Sequence, residues 1–145
     1  MIVIALVAIL SSLAAPSFKT FVAGQRVKTT SFDFYSSLTL ARSEAIKRRA
    51  SVQVAASASG WSGGWEVKSG STVLFSQGPL NGVNLSPSPN AALVFSMDGR
   101  LTDPSVVVTI ESQSEPDSVG RRCLNFDATG APRSFKLTGS GATCS

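Results

Sequence analysis

The first fifteen residues, MIVIALVAILSSLAA, carry no charge, and the chain passes from them directly into a charged helical pattern. An apolar run joined without a break to an amphipathic stem predicts one long helix. One half would lie in lipid or protein and the other on a globular domain. A membrane-spanning helix needs roughly 20 predominantly apolar residues to cross about 30 Å of hydrocarbon, so this run is short for a span. Two readings stand for it. A secretory signal peptide needs a basic segment before the apolar run and a small-residue cleavage site after it. Leu13-Ala14-Ala15 suits the second requirement, but nothing basic precedes Ile2. A membrane helix lacking its first few residues accounts for the missing flank. On that reading the anchoring positions are Ile2, Val3, Ile4, Leu6, Val7, Ile9, Leu10, Leu13 and Pro16. Ala5, Ala8, Ser11, Ser12 and Ala15 between them suit close helix approach.

The charge belongs to the stem. Residues 17–50 hold Lys19, Arg26, Lys28, Arg42, Lys47, Arg48 and Arg49 against Asp33 and Glu44, a net +5, whereas the remainder of the chain is net −1. Phe34, Leu38, Ala41 and Ala45 step by 4, 3 and 4 and so form one stripe of a helix over 17–49. Phe18, Phe21 and Val22, with Val27, begin a similar stripe. Pro16 predicts a kink near 13–16, because it removes a backbone donor and crowds the preceding turn. Lys47-Arg48-Arg49 reads as a basic helix C-terminus opposing the macrodipole, with an anionic lipid or nucleic-acid contact as the rival.

After Ala50 the period changes from helical to alternating. Residues 51–55, 65–68, 72–76, 92–96, 106–110, 122–126 and 133–137 read as strands, with a hairpin at Ser69-Gly70-Ser71 and a turn at Met97-Asp98-Gly99-Arg100. Residues 60–64 read as a turn-rich break, and 81–90 and 112–120 as loops. One long helix followed by six or seven short strands is an α+β plan, with one sheet face available to cover the helix stripe. The boundaries follow: 1–16 an apolar half-helix, 17–50 an amphipathic stem, 51–145 a C-terminal β-domain. Trp65 at a strand start is placed in the core, and glycine-flanked Trp61 at the surface.

Histidine is absent, which removes the commonest general base and the commonest metal ligand. A serine nucleophile would then need a lysine partner, and no Ser-x-x-Lys occurs. No catalytic, cofactor or metal site is therefore assigned, and no small-molecule substrate. The two cysteines, Cys123 and Cys144, cannot build a structural zinc site. As an even pair in an exported chain they read as a disulfide, against the alternative of two separate buried thiols.

The opening Ile2-Val3-Ile4-Ala5-Leu6-Val7-Ala8-Ile9-Leu10, the small residues to Ala15, and Pro16-Ser17-Phe18 resemble the hydrophobic helix of type IV pilins and pseudopilins. The stem segment Leu38-Thr39-Leu40-Ala41-Arg42-Ser43-Glu44-Ala45-Ile46-Lys47-Arg48, followed by Val52 on a strand, is similar to the GspH/FimT group of minor pseudopilins and minor pilins. So are Val94-Phe95 to Asp98-Gly99-Arg100 and the closing stretch with two cysteines. The resemblance implies a pilin-like α+β fold and a non-enzymatic structural subunit of a type II secretion pseudopilus. It also implies a single pass through the bacterial inner membrane, with the C-terminal domain in the periplasm. Implied partners are other pseudopilins or pilins and the prepilin peptidase that processes the full-length precursor. Met1 falls just inside the family's apolar run, so the leader, the methylated N-terminal residue and the assembly glutamate are expected upstream of it. The alternative is a type IV pilus minor pilin serving pilus assembly or DNA uptake. Some members bind DNA through a Gly-Arg-X-Arg motif. Here that stretch is Gly130-Ala131-Pro132-Arg133, with Ala131 in place of the first arginine. Arg121, Arg122, Arg133 and Lys136 remain as candidate phosphate contacts, while Phe126 and Phe135 are placed in the core and not beside bases.

Overall fold

Helical spacing without a strong breaker after Pro16 gives a single helix, α1 (Ile2–Arg48), of 47 residues, about 70 Å at 1.5 Å per residue. The structure is a computed structural model describing residues 2–114, 116–127, 129–138 and 144, with side chains from residue 18 onward. The anchoring side chains from Ile2 to Pro16 named above therefore lie outside the described ones, and α1 continues through Pro16 as helix. Among the described residues no helix is long and apolar enough to cross a membrane.

Among the described residues eight strands follow, one more than the alternation predicts. They are β1 (Val52–Ser57), β2 (Gly60–Ser69), β3 (Thr72–Gln77), β4 (Val83–Ser88), β5 (Leu93–Phe95), β6 (Val107–Ser112), β7 (Arg121–Phe126) and β8 (Pro132–Leu137). A single turn of helix, α2 (Pro116–Val119), precedes β7 within the stretch expected as loop. The strands form two antiparallel four-stranded sheets, ordered β3-β2-β1-β5 and β4-β6-β7-β8, which with the long helix make the expected α+β fold. The sheets meet along β2 and β4, and α1 lies against strands of both.

Two elements correct the sequence reading. The stretch 81–90 is β4 and not loop: Val83, Leu85 and Pro87 are buried in alternation while Asn84, Ser86 and Ser88 face out. β4 is the edge of its sheet, the one place where a strand tolerates proline, because one row of backbone donors needs no partner. The glycine-rich 60–64 is likewise the first half of β2, paired with β1 up to Ser57 opposite Gly60. β5 and β6, which flank the expected turn, belong to different sheets. Phe95 instead bridges to Leu101 across that turn.

The core lies between α1 and the inner sheet faces. Phe34, Leu38, Ala41 and Ala45 are all fully buried, as their spacing predicts, together with Val54, Trp65, Val67, Phe95, Ile110 and Leu124. Trp65 stacks edge-on to Phe34 with centroids 5.0 Å apart, and its indole N–H donates to Ser37 Oγ at 2.9 Å. Ser37 in turn donates to the Asp33 carbonyl, so the one buried hydroxyl–indole contact leaves no donor unmet. Trp61 is half-buried, not exposed as expected. Its ring meets Phe34 edge-on, and its Nε1 donates to Asn90 Oδ1 at 2.8 Å. The second expected stripe fails in part: Val27 is buried, but Phe18 and Phe21 are 67% and 62% exposed. Both lie off the buried line of the helix, which at this level runs through Ala23 and Val27.

Candidate functional site

Two seams run along the stem. The inner one is Val27, Ser31, Phe34, Leu38, Ala41 and Ala45, stepping 4, 3, 4, 3, 4, and every member is buried. The outer one is Phe18, Phe21, Gln25, Lys28, Phe32 and Tyr35, stepping 3, 4, 3, 4, 3. It follows the inner seam by one residue, about 100° around the helix. Phe32 on the outer seam is 72% exposed, and Phe34, two residues on, is 0% exposed. Alternate three- and four-residue steps are the spacing at which one helix meets another.

The outer seam borders the second sheet. Two grooves lie there, of about 400 and 650 Å³. The first runs between Phe21, Gln25 and Lys28 of α1 and Gly120, Arg122 and Lys136 of the sheet. The second continues it past Phe32 and Tyr35 to Arg122 and Ser134. Gln25, Lys28 and Arg122 line both, so the two form one channel along the stem.

This placement divides the four basic residues proposed as phosphate contacts. β7 and β8 pair in regular register, Arg121 opposite Leu137, Arg122 opposite Lys136 and Asn125 opposite Arg133. Side chains alternate faces, and directly opposed residues share one. Arg122 and Lys136 therefore lie on the helix-facing side with buried Leu124 and Phe126. Arg121 and Arg133 lie on the other, with Cys123 and Phe135. Phe135 is half-buried on that outer face, a correction to its expected place in the core. Arg121 is held by Glu111, Nε to Oε2 at 2.6 Å. Arg133 is 74% exposed, with a guanidinium nitrogen 3.8 Å from Asp127. The four do not make one patch. The Cys123–Cys144 disulfide lies on that same outer face, with Cα atoms 5.6 Å apart.

The far end of the stem is a separate feature. Lys47 and Arg48 both reach Glu44, at 3.5 and 2.5 Å. They thus act as the helix-terminal charges that their position suggests, and Arg48 holds the Glu44 carboxyl below its ordinary range. Two turns meet beside them. At Gly99 (φ 78°) an added Cβ would come within 2.6 Å of Ile46 Cδ1, and at Gly130 (φ 77°) within 2.7 Å of the Leu101 nitrogen. Both sites need a left-handed backbone and lack room for a side chain. Each turn is tied by an aspartate. The Thr129 hydroxyl, followed by the Ala131 and then the Thr129 amide, donates to Asp127 Oδ1, which lowers the Asp127 pKa. Asp98 is lowered likewise, first by the Ser96 hydroxyl and then by the Arg100 amide. These contacts close the turns, and among the described residues no cluster of His, Cys, Asp or Glu is placed to hold a metal.

Sequence reasoning missed the outer seam. The signal was present in the 3-4-3-4-3 spacing from Phe18 to Tyr35, but polar Gln25 and Lys28 interrupt it.

Residues 32–143 match the family described as Type II transport protein GspH. Two crystal structures of the type IV minor pilin FimU of Pseudomonas aeruginosa (strain PAO1) share the fold at 21% identity. The form in space group P21 has a TM-score of 0.64 and covers 82% of this chain and 93% of that one. The form in P65 has a TM-score of 0.61 and covers 80% and 96%. Among curated proteins none matches the chain at a significant level.

Proposed function

The chain belongs to the GspH family of type II transport proteins, and from that membership we propose that it is a non-catalytic minor pseudopilin, a structural subunit of a type II secretion pseudopilus. The observation that carries the reading is the extent of the match. It begins inside the stem and ends at residue 143, and so takes in the inner seam from Phe34 to Ala45 together with both sheets. A long helix continuous with an apolar run supports the mode of action. In the proposed cycle the half-helix 1–16 anchors the subunit in the inner membrane, while the domain 51–145 stands in the periplasm on the stem 17–50. On assembly the apolar half leaves lipid and packs against neighbouring helices, where small residues favour close approach. The prepilin peptidase and the other pseudopilins or pilins are its partners in that cycle.

The fold likeness to a type IV minor pilin favours a second reading, a subunit of a type IV pilus serving assembly or DNA uptake. Deleting the gene separates the two. Loss of exoprotein release with surface fibres intact supports the secretion role, and the reverse supports the pilus role. A deletion that leaves both unchanged, or a mature chain recovered free in the periplasm without residues 1–16, contradicts both.

A further inference from the structure

The grooves along the outer seam carry an electrostatic peculiarity. Arg122 and Lys136 are directly opposed across β7 and β8. Like charges at such a pair repel and destabilise the sheet locally. Lys28 of α1 lines the same channel and adds a third cation. Among the described residues none of the three has a carboxylate within ion-pair distance, and no carboxylate lines either groove. Several cations elsewhere are neutralised locally, Lys47 and Arg48 by Glu44, Lys68 by Glu66 and Arg121 by Glu111, whereas these three gather in one channel with no acidic lining. Around the three cations stand the exposed rings of Phe21, Phe32 and Tyr35, at helix-pairing spacing.

We infer that this channel is the docking site for an acidic amphipathic helix of another protein, laid along the outer seam with its carboxylates over Lys28, Arg122 and Lys136. Its apolar edge covers Phe21, Phe32 and Tyr35. The seam from Phe18 to Tyr35 accommodates a partner of about five turns. Charge selects the partner's sign, and the 3-4-3-4-3 spacing selects a helix over an extended strand. A second copy of this stem is a poor occupant, because its seam brings another Lys28 and no carboxylate to the three cations. The inference rests on the fibre-subunit reading for its setting, since a fibre supplies neighbouring helices, but its chemistry stands on the groove alone.

The test titrates the full chain, in mild detergent, with synthetic helical peptides of about three heptads. One has leucine at the seam positions and glutamate flanking them. The others carry glutamine or lysine at the flanks. The glutamate peptide is expected to bind about tenfold more tightly than the glutamine peptide at low salt, and the lysine peptide least. Lys28→Glu is expected to remove that preference and to shift it toward the lysine peptide. Lys136→Glu is expected to form an internal pair with Arg122, raising the melting temperature while weakening the glutamate peptide. That opposite movement is one a purely structural lysine would not give. Equal binding of the glutamate and glutamine peptides overturns the proposal. So does an unaltered preference in Lys28→Glu, tighter binding of a single-stranded oligonucleotide than of the glutamate peptide, or self-association of the free chain abolished by Phe32→Ala. If the peptides fail while gene deletion still abolishes secretion or piliation, the groove assignment falls and the subunit reading stands.

Discussion

The inner and outer seams of α1 share a helix and a heptad spacing, yet only the inner one is covered by the chain itself. The inner seam holds no charge, its one polar member is Ser31, and its alanines let the sheets approach closely. The outer seam places Gln25 and Lys28 at its centre and faces a channel floored by Arg122 and Lys136. Periodicity locates both seams, whereas charge tells which one the domain can bury. Burying Lys28 without a carboxylate would cost more than the neighbouring rings return, so the domain closes on the other side.

The largest effect that separates the seams is on stability. Phe34→Ala removes a ring packed between Trp61 and Trp65 and is expected to cost about 3–5 kcal/mol. Phe32→Ala is expected to stay within about 0.5 kcal/mol. Urea denaturation of both variants checks the contrast, and comparable losses would erase it.

A smaller loss is expected on the face turned away from the stem. The Cys123–Cys144 bridge closes a loop of 21 residues, so opening it should cost about 3 kcal/mol. Cys144→Ser, or melting with and without reductant, measures this. The loss should fall on stability while leaving peptide binding at the outer seam unchanged. Reduction that abolishes that binding would show the two faces to be coupled.

The smallest effect lies in the turns at the stem's far end. Asp127 is held below its ordinary value of 3.8, first by the Thr129 hydroxyl. A depressed folded pKa contributes stability that is present above the unfolded value and lost as pH falls through the folded one. The unfolding midpoint is therefore expected to hold down to about pH 4 and to fall below it. Asp127→Asn, which keeps an oxygen acceptor but no charge, should make that fall shallower. Asp98, Asp103 and Glu44 are shifted in the same direction and account for the remainder. An identical acid limb in Asp127→Asn would remove this turn from the explanation.

Much of the fold was legible in the sequence, and particular residues show why the rest was not. The stripe Phe34, Leu38, Ala41, Ala45 and the core position of Trp65 followed from period and hydrophobicity alone. So did the hairpin at Ser69-Gly70-Ser71 and the pairing of β7 with β8. β4 was hidden because Pro87 and Pro89 read as loop, and only the sheet order shows that β4 is an edge where proline is tolerated. The first half of β2 was hidden by its glycines. Phe18 and Phe21 stay exposed because the covered side of the stem runs through Ala23 and Val27, a choice of face that no local pattern encodes. At the candidate site, Arg121, Arg122, Arg133 and Lys136 look like one basic cluster along the chain. Period two then sends Arg121 and Arg133 to one face and Arg122 and Lys136 to the other. The third cation of the channel, Lys28, comes from a helix nearly a hundred residues away, a juxtaposition that only the tertiary fold makes.

The most direct test of the two-seam account is hydroxyl-radical footprinting of the full chain, first free in detergent and then within the assembled fibre. Phe21, Phe32 and Tyr35 are expected to be labelled in the free chain and protected in the fibre, with Phe34 and Trp65 unlabelled in both. Equal labelling of Phe32 in the two states, or labelling of Phe34 in the free chain, would contradict it.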